Sequence, residues 1–200
     1  MNTSVERIGG AVPQTRWAPE VGPVTKDFLE RKLKQRGAPD REAMNRVVAE
    51  AATILGRCLP PGEPKGHDAG LVVGYVQSGK TLSFTTVASL ARDNGYGAVI
   101  LLAGTAVNLK GQSENRLIID LGLEDTQHDW RHFENPEVLK GDPGDMERVL
   151  RAWQRSLGGV PGTVKRSLLI TVLKHHKRLK NLRGGILAWS KEIDPSVPQY

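Results

Sequence analysis

The chain has a single cysteine, Cys58. One thiol cannot close an internal disulfide, so a disulfide-stapled scaffold is excluded, and this usage fits a reducing cytoplasm. Long hydrophobic runs are missing as well. A stretch such as "GAVILLAG" falls far short of the roughly 20 apolar residues that a bilayer-crossing helix needs. The opening "MNTSVERIGG" lacks the basic-then-apolar layout of a secretory signal, which leaves the sequon-like Asn2-Thr3-Ser4 without a glycosylation context. Aromatic residues make up only 5% of the chain. Trp17, Trp130, Trp153 and Trp189 are scattered, and packing is the default role for each. No internal repeat is visible.

What remains is an ordinary globular composition. Two hundred residues, 38% apolar and 25% charged, suit one domain, or one domain with an ordered extension. The net charge of +6 and a pI near 9.6 make a polyanion a candidate partner. Charge alone does not single out nucleic acid, because many basic proteins bind none.

Residues 1–24 carry Gly and Pro without apolar periodicity and read as a loose arm. A short helix, "TKDFLERKLKQRG", is expected from an N-cap at Thr25 to a terminator at Gly37. A second opens at Asp40. Its Met44, Val47, Val48, Ala51, Ile54, Leu55 and Cys58 share one helical stripe. With the polar linker "LPPGEPKGHDAG", these helices make residues 25–66 a helical preface. From 67 onward the pattern becomes α/β. "GLVVGYV" reads as a short strand, and "KTLSFTTVASLARDNG" as a helix closed by Gly95. "GAVILLAG" reads as a strand buried on both faces of a parallel sheet. A helix is expected over "NLKGQSENRLIIDLG", a polar surface excursion over 122–145, and an amphipathic helix over "MERVLRAWQRSLGG". A third strand, "SLLITVLK", and a helix, "HHKRLKNLRGGILAWSK", follow.

Gly74-Tyr75-Val76-Gln77-Ser78-Gly79-Lys80-Thr81 matches the Walker A pattern in full. Glycine lets the backbone bend around an anion so that consecutive N–H groups converge on phosphate oxygens, while the following helix aims its positive end at the same charge. Gly74, Gln77, Ser78 and Gly79 line the cradle. Lys80 reaches the β- and γ-phosphates, and the Thr81 hydroxyl ligates magnesium. The expected cofactors are therefore ATP and magnesium. A strand before the turn and a helix after it would be the confirming context. The bland alternative is a glycine-rich turn with an incidental surface lysine.

Hydrolysis needs a second strand ending in an acid that holds the metal. "RLIIDLG" offers Asp120 but fits a helix better than a strand, and "SLLITVLK" ends in lysine. Either the machinery is degenerate or the chain stops before that strand.

"GLVVGYVQSGKT" followed by "NGYGAVILLAGTAVNLKGQSENRL" resembles the helicase-like ATPase region of the bacterial Z-one domain family of endonucleases. The family's "Y-x-x-I-I-x-L-A-G" strand has its counterpart at Tyr96–Gly104. The "N-L-x-x-Q-T-x-x-R-L" that follows has its counterparts at Asn108, Leu109, Gln112, Arg116 and Leu117, with Ser113 in place of the usual Thr. "LLITVLKHHKRLKNL" is similar to the family's later "V-L-K-x-N-x-x-R-L-x-x-L". The likeness covers roughly residues 45–185. It implies the first RecA-like lobe of a motor that works on nucleic acid, with links to defence against foreign DNA. It also implies an acidic "IDDEAD"-like strand beyond Tyr200, so 67–200 is expected to be a P-loop lobe cut before its Walker B strand.

Two places agree with a nucleic-acid partner, most readily DNA. "AGTAVNLKGQ" follows the second strand, where Thr105, Asn108, Lys110 and Gln112 can bond phosphates. Residues 163–191 carry eight lysines and arginines, among them Lys174, Lys177 and Arg178, and no acid. A solvated basic face is the plainer reading of that block. His128 and His132 stand four apart, but this spacing alone does not make a metal site. Two other functions compete with the motor. A P-loop phosphotransferase would have no affinity for polyanions, and a nucleotide-switched interaction module would turn over no ATP.

Overall fold

The computed structural model describes residues 15–35, 37–61, 66–67, 69–72, 80–103, 117–123, 130–135 and 167–193. The chain forms two compact units, Met1–Gly95 and Tyr96–Tyr200.

The first unit is helical. Helix α1 spans Pro23–Leu33, α2 spans Arg41–Leu55 and α3 spans Lys80–Asp93. Asp40 caps α2 as its sequence demands, its carboxylate accepting the Ala43 N–H at 2.7 Å. Helix α1 departs from expectation at its start. Its N-cap is Gly22 rather than Thr25, with Pro23 in the first turn, where a missing N–H costs nothing. Thr25 is buried inside the helix, and its hydroxyl has no hydrogen-bond partner among the described residues. The capping acceptor comes from the end of α3. The Asp93 carboxylate accepts from the N–H groups of Gly22, Val24 and Thr25 at 3.1, 3.0 and 2.8 Å. Gly37 takes the left-handed φ of +74° expected of a terminator, although α1 itself closes at Leu33.

Helix α3 packs on both α1 and α2. Val24, Phe28, Met44, Ala51, Leu55, Ala88, Leu90 and Ala91 form the buried apolar set of this unit among the described residues. Thr85, Thr86 and Ser89 of α3 are fully buried too. Their hydroxyls donate to the carbonyls of Thr81, Leu82 and Thr85 at 2.7, 2.7 and 3.1 Å, which removes the cost of burying an unsatisfied hydroxyl. Helix α3 ends as expected, with Gly95 at a φ of +92°.

The second unit is α/β. Strands β1 (Ala98–Ala103), β2 (Trp130–Glu134) and β3 (Ser167–Leu173) form an open, all-parallel sheet in the order β1-β3-β2. Ile100 pairs with Ile170, and Phe133 pairs with Ile170 from the other side. Every residue of β3 is buried, as a central parallel strand requires. Helix α4 (His176–Ile193) covers one face, with Leu182 joining the buried Leu168, Ile170 and Val172. Leu179, Ile186 and Phe133 pack around that cluster.

Three sequence expectations change here. Strand β1 is not buried on both faces, since Ile100 is 39% and Leu102 55% exposed, and it lies at the edge of the sheet among the described strands. The excursion over 122–145 contains a strand, β2, anchored by Trp130 at 3% exposure. Residues 70–72 of the supposed first strand belong to no strand, and Leu71 is 88% exposed. No described strand pairs with them. The rest of that segment, 73–79, lies outside the described residues, as does the helix expected over 146–159.

Candidate nucleotide and nucleic-acid sites

The Walker A stretch enters the described structure at its last two residues. Helix α3 spans Lys80–Asp93 and carries no acid in its first turn. Its positive dipole end therefore meets no competing carboxylate of its own first turn. Thr81 is half-buried one residue in, and its carbonyl anchors the Thr85 hydroxyl. Of Lys80 only the backbone is described, and Gly74, Gln77, Ser78 and Gly79 lie outside the described residues.

Asp120, weighed above as a metal-holding acid, sits in a helical stretch over 117–121 and is 2% exposed. A carboxylate at a strand's carboxyl end would instead face the ligand crevice. Thr105, Asn108, Lys110 and Gln112 fall outside the described residues.

The second candidate site lies at the carboxyl end of the parallel sheet, within the second unit. Strand β3 ends at Leu173, and Lys174 and His175 make the turn into α4. The His175 N–H donates to the Leu173 carbonyl at 2.7 Å, and the His175 carbonyl accepts the Leu179 N–H at 3.0 Å. That geometry brings Lys174, Lys177 and Arg178 together around one turn. Lys174 and Lys177 are exposed. Arg178 is half-buried, and its Nη1 has no hydrogen-bond partner among the described residues. No acid occurs on α4 before Glu192, so no carboxylate of the helix itself offsets the cations of its first turns.

Sequence reasoning missed the residue that holds this turn. Asn135, just past β2, adopts a φ of +42°, the one positive φ of a non-glycine residue among those described. Asparagine tolerates that conformation because its short side chain bonds locally. The Asn135 N–H donates to the Thr171 carbonyl at 2.7 Å, and its Oδ1 accepts the Leu173 N–H at 2.9 Å. The end of β2 is thereby tied to the last residue of β3. One residue-pair inward, His132 Nε2 and Thr171 Oγ1 share a hydrogen bond of 2.9 Å. That bond engages one of the two ring nitrogens of His132. No group of three or more metal-binding side chains occurs among the described residues. The only available signal was an asparagine directly after a short run that contains Trp130 and Phe133.

No family model matches the chain, and no curated protein or solved structure is significantly similar to it. No helix among the described residues is long and apolar enough to cross a membrane.

Proposed function

We propose that this chain is the ATP-binding, RecA-like lobe of a helicase-like ATPase of the Z-one domain kind, acting on nucleic acid, most readily DNA, in the cytoplasm. The observation that carries the proposal is helix α3, Lys80–Asp93, whose first two residues close a full Walker A sequence. A helix N-terminus free of acids fits a triphosphate, and Thr81 in the first turn offers a hydroxyl for magnesium. Lys80 and Thr81 would hold the nucleotide and its ion, which when bound supply the free energy that the motor converts. The all-parallel sheet and the acid-free turn around Lys174 support the nucleic-acid half of the reading.

Binding of a fluorescent ATP analogue to the intact chain tests the nucleotide site. Lys80→Ala should weaken it by at least about ten-fold, equivalent to about 1.4 kcal/mol. Thr81→Ala should abolish the magnesium dependence, and Thr81→Ser should retain it. Equal binding by the wild type and Lys80→Ala would remove the cradle from the account.

A further inference from the structure

We infer that the solvent face of α4 is a track for a single nucleic-acid strand, with Lys177 and Lys180 on successive phosphates and Gly184 where the strand's backbone passes closest to the helix. The inference rests on the nucleic-acid reading above and extends it from the turn at Lys174 to the length of the helix.

The face is set by packing. Leu179, Leu182 and Ile186 turn toward β3, which leaves His176, Lys177, Lys180, Arg183 and Gly184 exposed along the other side. Lys177 and Lys180 are three residues apart, about 4.5 Å along the axis at 1.5 Å per residue. As i,i+3 neighbours on one helix face they can contact the same stretch of a strand's backbone.

Gly184 has no reason of its own to be glycine. It is not among the residues with positive φ, and among the described residues a Cβ built on it meets nothing within 4 Å. Glycine is the poorest helix former after proline, so alanine would suit this helix better. A glycine that neither conformation nor internal packing requires, set at the end of a cationic stripe, suits the close approach of another molecule's backbone. At the head of the stripe, His175 and His176 are both exposed, with ring centroids 4.4 Å apart. Exposed imidazoles stack on unpaired bases, which a duplex does not offer. This favours a single strand.

The test is anisotropy of a labelled short oligo(dT) with the intact chain, titrated with salt, alongside a hairpin duplex and phosphatidylserine vesicles. Lys180→Ala should flatten the slope of log K against log salt by about 0.7. Gly184→Leu should weaken oligonucleotide binding by about ten-fold, and Gly184→Ala by less, with the salt slope unchanged in both. Both should unfold at or above the wild-type temperature, because both side chains favour helix. Wild-type affinity in Gly184→Leu, or a lowered unfolding temperature in both glycine variants, would overturn the track while leaving the turn at Lys174 as a binding site. Tighter binding of the hairpin or of the vesicles would overturn the single-strand assignment. No binding of any nucleic acid by the wild type at low salt would remove the nucleic-acid reading itself.

Discussion

The carboxylate of Asp93 accepts three main-chain N–H groups at the start of α1, although the two partners in one of these bonds are 68 positions apart in sequence. Those N–H groups belong to the first turn of a helix, where no intrahelical acceptor exists, so their alternative inside the fold is to remain unsatisfied. Gly22 makes the approach possible: a Cβ there would lie 2.5 Å from Asp93 Oδ1. Asn94 reinforces the same junction, its Oδ1 accepting the Glu20 N–H at 2.8 Å and its Nδ2 donating to the Glu20 carbonyl at 2.9 Å. Asp93→Ala should therefore destabilise the protein by about 2 kcal/mol, and Asp93→Asn by about half of that, since one acceptor oxygen remains. Gly22→Ala should be destabilising alone and nearly neutral in the Asp93→Ala background. Denaturant unfolding of the four members of this cycle reads the coupling directly. Independent, additive losses would show that the capping geometry is wrong.

The elements divide according to how local their causes are. Helix α2 was legible because its cap, its stripe and its end all lie within its own residues, and β3 was legible because a continuous apolar run of that length suits a strand buried on both sides. The N-terminus of α1 was not, because its cap is supplied by α3. Strand β2 was hidden for a similar reason. Trp130, Arg131, His132, Phe133 and Glu134 look polar in isolation, and only the pairing with β3, which is distant in sequence, makes a strand of them. Strand β1 was recognised but wrongly expected to be covered on both sides, since a sequence does not say which apolar strand lies at the edge. Of the candidate site, the cations at Lys174, Lys177 and Arg178 could be read from the chain, whereas the Asn135 tie could not. These placements predict opposite outcomes for two leucines. Leu182→Ala removes a side chain from the cluster on β3 and should cost about 2–4 kcal/mol. Leu102→Lys, on the exposed edge strand, should change stability by less than about 0.5 kcal/mol. It should also reduce self-association, because a lysine blunts an open sheet edge. Thermal unfolding and light scattering on the two variants separate these effects, and a large stability loss in Leu102→Lys would mean that β1 is covered.

At the scale of the whole molecule, the charge is less uniform than a net of +6 suggests. Eight of the 28 basic residues and none of the 22 acidic ones fall within 163–191, which leaves 20 basic against 22 acidic residues elsewhere. The positive excess therefore belongs to β3, its turn and α4, and the remainder of the chain is slightly acidic. A polyanion attracted only by net charge would respond equally to any three neutralised cations. One that sits at the sheet's carboxyl end would respond to position, because screening confines each exposed charge to about 8–10 Å at ordinary salt. Two triple variants with the same net charge distinguish these cases. Lys174→Gln, Lys177→Gln and Lys180→Gln empty the α4 turn. Lys26→Gln, Arg41→Gln and Arg57→Gln remove three exposed cations from the helical unit. The first set should lower the salt needed to release the protein from immobilised single-stranded DNA and flatten the slope of log K against log salt by about 2, at about 0.7 for each lost phosphate contact. The second should leave the slope unchanged. Because all three residues of the first set are exposed, its unfolding temperature should stay close to that of the wild type. Equal losses from the two sets would assign the attraction to net charge and leave the turn at Lys174 as an ordinary solvated surface.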